Sequence, residues 1–231
     1  MGTSTIIAAF EMELAHTVSG MTTDTLNEKS GHIRKLLTIL EAHQSVAKNI
    51  DANLSLSQQG RMDALRKLAT SETAPALKWL RPEIAKLQEK DQHYHDQFFT
   101  VDSGIKDLAE RMPIFVYLWD KFDVLDQSAR VTQFLESAER DEVRVMAAML
   151  ENPLGAMVDE NVKIAALTER AKRLTPQDVE NFEQTQLLLE FLTMARDWIA
   201  RWLNQEVGVG IAVLRTNLGD EVADALELVA K

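Results

Sequence analysis

LKWLRPEIAKLQEKDQHYHDQF, residues 77–98, places its apolar residues in alternating steps of three and four. Leu77, Leu80, Ile84, Leu87, Asp91, Tyr94 and Phe98 fall on one line of a helix. A repeat of about 3.5 residues keeps one apolar stripe facing a partner helix along its whole length. A second comb precedes it, Leu26, Ile33, Leu40, Ala47 and Leu54, each seven residues from the last. Two such lines predict long helices packed against one another, and an all-α fold.

The signals around the seam set its limits. Thr25 followed by Glu28 forms a capping box, and the helix it starts is expected to run to about Leu54. Ser55 to Gly60 interrupts it, since Ser and Gly are poor mid-helix residues. A brief helix with Leu65, Leu68 and Ala69 follows, and Ser71 to Pro75 breaks the chain again. Pro82, inside the seam, predicts a kink or a fresh start there. Residues 24–99 therefore read as a long, coiled-coil-like antiparallel hairpin with arms of roughly 40 Å. Ahead of it, Ile6, Ile7, Phe10 and Leu14 fit a short opening helix ending near Gly20.

Thr100-Val-Asp-Ser-Gly104 reads as the main internal boundary. It divides the chain into a hairpin region, 1–100, and an acidic bundle of shorter helices, 101–231. In the second part Ser103 is expected to start a helix that Pro113 stops. The run Ile114 to Trp119 has strand-like propensity but no partner strand nearby, so it reads as buried helix. Helices are expected at 126–138, at 141–151 (ended by Asn152-Pro153) and at 160–174. Thr175-Pro176 is a start signal, with proline at the first helical position. It opens a long helix through Phe182, Leu189, Trp198 and Trp202 that Gly208 and Gly210 break, and 220–229 is the last amphipathic stretch.

Composition narrows the classes. The 231 residues include 45% hydrophobic and 26% charged residues, 9 Gly and 5 Pro, a balance that favours helix over hairpin-rich β folds. The absence of cysteine excludes disulfide scaffolds, thiolate zinc sites and thiol nucleophiles. The first residues lack the basic leader of a secretory signal, and the late apolar run Val207 to Leu214 is far shorter than the roughly 20 residues of a membrane span. A cytoplasmic location is the expectation. Residues 1–100 hold 11 Lys/Arg against 12 Asp/Glu, whereas 101–231 hold 14 against 24. Such an acid excess disfavours contacts to nucleic acid or anionic lipid and favours basic partners.

No catalytic motif emerges. Glu13 and His16 have the Glu-x-x-His spacing of di-iron bundles, but no second such pair exists in the chain. His93, His95 and Asp96 form the densest set of metal-ligand types, yet His93 and His95 point about 200° apart on a helix. Gly208-Val-Gly210 lacks the third glycine of a dinucleotide loop, and Arg170-Ala-Lys-Arg173 is too short for nucleic-acid recognition. No enzyme activity, cofactor or metal is expected.

Contact sites are better candidates. Leu36 and Leu37, and likewise Phe98 and Phe99, are adjacent and point about 100° apart, so the apolar stripe is wider than one facing helix covers. Trp79 lies beside the seam. Trp198 and Trp202 lie one turn apart with Arg196 and Arg201 nearby, which fits either a binding hot spot or core packing.

Leu56-Ser-x-x-Gly60-Arg61-x-x-x-Leu65-Arg66 and the seam after it resemble small helical proteins encoded among the head and tail genes of tailed bacteriophages and prophages. Phe134-Leu-Glu-Ser-Ala138 and Met149-Leu-Glu-Asn-Pro153 share that rhythm. The resemblance implies a virion or virion-assembly component and carries over no catalytic residue. The expected function is thus non-enzymatic and structural, through contacts with itself or other assembly proteins, with a homo-oligomer expected. An acidic regulator or decoy that binds a basic surface is the alternative, and a helical-bundle metalloenzyme the weaker one.

Overall fold

Leu36, Leu40, His43 and Ala47, spaced by three or four, are the buried line of the helix Gly31–Ala52, α1, in a computed structural model that describes residues 31–229. The opening helix, the Thr25–Glu28 box, Leu26, Glu13 and His16 lie outside the described residues, as does the Ile33 side chain. The comb is corrected at its far end. The helix stops at Ala52, and Leu54 is 91% exposed beyond it.

Helix α2, Gln58–Leu68, starts inside the expected break because the Ser57 hydroxyl accepts from the Gly60 amide at 3.1 Å, satisfying one orphan donor. It widens into a π-helical turn, Ala69–Thr73, and then one α turn, Ala74–Ala76. Helix α3, Leu80–Phe99, begins afresh with Pro82 in its first turn, where a missing amide hydrogen is harmless. The seam is real: Leu77, Leu80, Ile84, Leu87 and Phe98 are buried, and Asp91 and Tyr94 half-buried.

Further on come α4 (Leu108–Asp123), α5 (Gln127–Glu139), α6 (Val143–Leu150), α7 (Glu160–Leu174), α8 (Pro176–Gln205), α9 (Ile211–Leu218) and α10 (Asp220–Val229). Among the described residues there is no strand, so the chain is all-α. Asp107, rather than Ser103, caps α4, its carboxylate accepting from the Ala109 amide at 2.8 Å. Pro113 does not stop that helix but lies inside it, because the following turns bury Phe115, Leu118 and Phe122. Asp126 caps α5 as its position suggests. Thr175 precedes Pro176, but its hydroxyl donates back to the Ala171 carbonyl at 3.3 Å.

The chain groups into two compact units, one of residues up to Glu89 and from Thr185 onward, the other Lys90–Gln184. This differs from a division at residue 100, because the late residues of α8 return to the core of α1 and α3. In the first unit, Leu36, Leu40, Leu80 and Ile84 share one core with Leu192, Ile199 and Leu203 of α8 and with Leu214 and Leu226. In the second, Phe115, Phe122, Phe134, Met146, Met149 and Leu167 form the main core. Phe98, Ala171, Val179 and Phe182 form a smaller one, also in that unit.

Candidate functional site

The first unit holds five of the residues expected to make contacts. Leu36 is fully buried and offers no surface, while Leu37 is half-buried against the same core. Trp79 sits in the turn before α3, half-buried, with the His32 ring stacked at 5.6 Å and the Lys35 ammonium 4.4 Å from the ring centroid. His32 Nε2 lies 3.3 Å from the Glu83 carboxylate, which fixes that ring. Trp198 and Trp202 stack on each other at 6.5 Å and pack against the core. Trp202 and His43 pack nearly perpendicular at 5.0 Å, and Nδ1 of His43 is 2.7 Å from the Thr73 hydroxyl. Burial lowers the His43 pKa, so the ring is held neutral. Arg196, also buried, pairs with Asp197 at 2.9 Å and Glu221 at 3.2 Å. These aromatics are locked by neighbours within the unit, as packing requires.

Phe98 and Phe99 belong to the second unit. Phe98 is buried against Phe182 at 5.6 Å, and Phe99 is half-buried with His95 at 5.0 Å. His93 is exposed and nearest in ring contact to Tyr94. Of the seven candidates, Leu36 and Phe98 are buried and offer no surface. Among the described residues, no group of three or more His, Asp and Glu is placed to hold a metal ion, and no helix is long and apolar enough to cross a membrane.

The second unit presents a different surface, on α4. Its inner side is fixed by Phe115, Leu118 and Phe122, by Trp119 Nε1 donating to the Ala148 carbonyl at 2.7 Å, and by Arg111 reaching Glu151 at 3.4 Å. Its outer side is apolar. Leu108, Met112 and Val116 recur every fourth residue and are 58%, 36% and 44% exposed. Beside them runs a second row, Ala109, Pro113 and the 67% exposed Tyr117. Residues four apart share a helix face, so these six make one patch about 15 Å long. Pro113 has no amide hydrogen, so the Ala109 carbonyl lacks its helical donor on this side.

Charge frames the patch. Asp107, Glu110 and Asp120 are exposed at its margins, against Lys106 and Lys121, while Asp123 is paired with Arg130 at 3.7 Å. Residues 90–184 as a whole hold 11 Lys/Arg and 19 Asp/Glu. The spacing of 108, 112 and 116 was the signal in the sequence, and ending the helix at Pro113 cut it in two. No protein-family model, curated protein or solved structure matches the chain.

Proposed function

We propose that this chain is a non-enzymatic helical structural or assembly protein that works through protein–protein contacts, of the tailed-phage kind its sequence resembles. Its partners are other assembly proteins or further copies of the chain, in the host cytoplasm or the virion. The observation that carries this reading is the apolar outer side of α4. A large aliphatic and aromatic patch kept in water on a well-anchored helix is a contact surface in most proteins that have one. The second reading, an acidic protein that binds a basic surface, draws on the net charge of −8 over residues 90–184. The two readings agree on where contact is made and differ on the role.

Photo-crosslinking in the cell that makes the protein tests the proposal. A photoreactive residue at position 112 or 116 should give discrete adducts, identified by mass spectrometry, that the same residue at exposed Gln88 does not. Adducts absent at 112 and 116, or equal at all three positions, would overturn it.

A further inference from the structure

We infer that the outer face of α4 is the docking site for a basic amphipathic helix of a different protein, which lays its apolar row along Leu108, Met112 and Val116 and its Lys or Arg residues against the acidic margin. This rests on the contact reading above and adds the chemistry of the partner.

Shape and charge together select that occupant. A straight, solvent-facing stripe two rows wide and about 15 Å long matches the apolar row of another helix over roughly three turns. Only its centre is apolar. The acids at positions 107, 110 and 120 outnumber the two lysines, Arg111 is turned away to Glu151, and Arg130 is taken up by Asp123 and the Phe122 carbonyl. A cationic flank on the partner meets this margin, and the Ala109 carbonyl without its helical donor adds an acceptor for it.

The other occupants fit less well. Residues 1–30 of the same chain hold Glu11, Glu13, Asp24 and Glu28 against one Lys29, and so carry the wrong sign. A second copy brings another unit of net charge −8. Its one basic run is already committed: Arg170 to Asp141 at 2.6 Å, Lys172 to Glu169 at 2.9 Å, and Arg173 to the Ala138 carbonyl at 2.8 Å. An anionic membrane is repelled by the same field.

The test uses the full chain and fluorescent synthetic helical peptides of roughly 18 residues, about five turns. One has a Leu row flanked by Lys, a second the same row flanked by Glu, and a third the Lys peptide with its Leu row scattered. Fluorescence anisotropy should show binding of the first alone, weakening as salt rises. The double variant Met112→Gln/Val116→Gln should weaken it by about tenfold or more, with an unchanged circular dichroism melt because both residues are exposed. Glu110→Lys/Asp120→Lys should weaken the Lys peptide similarly and admit the Glu peptide. Equal binding of the Lys and Glu peptides, of the scattered peptide, or to the Gln variant would overturn the inference. So would self-association of the full chain that the Gln variant abolishes, which would assign the face to a second copy. If no peptide binds while crosslinks at 112 and 116 persist, the partner chemistry is wrong and the contact reading stands; if both fail, both fall.

Discussion

His43 carries one proton-dependent interaction of the core. In the unfolded chain it takes up a proton near its ordinary pKa of 6.5, whereas in the folded protein burial opposes the charge and lowers that value. The unfolded state therefore binds more protons between the two pKa values. Stability from this group is fully held above pH about 6.5 and is lost as pH falls toward the folded value, levelling off below it. Urea midpoints measured from pH 8 to pH 5.5 should decline on the acid side, and His43→Gln should flatten that decline. Thr73→Val, which leaves Nδ1 of His43 without its 2.7 Å partner, should cost about 1–3 kcal/mol at pH 8. Gly208 is a second single-residue constraint. Its φ of +77° favours glycine, and a Cβ there would lie 2.9 Å from the Arg66 guanidinium. Gly208→Ala is expected to destabilise by about 1–2 kcal/mol in a thermal melt.

Among the elements, α1 separates the residues that a seven-residue comb treats alike. Leu40→Ala should cost about 2–5 kcal/mol, since Leu40 is fully buried, and Leu54→Ala no more than about 0.5 kcal/mol. The comb was legible because each seventh residue of a helix returns to nearly the same side. Leu36 and His43 were harder to place on that line, because a strict step of seven passes over the positions three or four away. The seam from Leu77 to Phe98 was read in both phases, and its buried residues are the expected ones. In α4 the reading failed for a different reason. Proline inside a helix removes one hydrogen bond, which favours stopping there, but burial of Phe115, Leu118 and Phe122 outweighs one bond. Pro113→Ala should therefore stabilise the protein by about 1–3 kcal/mol on chemical denaturation, by restoring the bond to the Ala109 carbonyl. The outer face went unread for the same reason. Trp79, Trp198 and Trp202 were visible as aromatics, but whether a half-buried ring faces a partner or its own core depends on neighbours distant in sequence.

For the whole molecule, the important fact is that the first unit is assembled from both ends of the described chain and the second from the residues between. The division falls inside α3, after Glu89, and inside α8, before Thr185. Amides of α1 and of the stretch Ile199 to Leu203 should exchange with deuterium at a common free energy, because Leu36, Leu40, Ile199 and Leu203 occupy one core. Separate protection of these two stretches under native conditions would contradict that grouping. Acid is also unevenly divided: residues 1–89 with 185–231 hold 14 Lys/Arg against 17 Asp/Glu, so most of the net −11 belongs to the middle of the chain. That placement could not be read from a linear cut at residue 100, since the return of α8 is a tertiary fact.

During synthesis, the same discontinuity imposes an order. When Leu87 leaves the ribosome, Leu36, Leu40, Leu77, Leu80 and Ile84 have emerged, but Phe191, Leu192 and Ile199, which close over them, are still about a hundred residues away. At roughly 5–20 residues per second that is a wait of about 5–20 s. Residues 90–184 emerge complete in the meantime and have their own cores to form. The leucine seam, like Leu36 and Leu40 before it, thus stays uncovered through that wait, and it is where a holding chaperone has a long opportunity to bind.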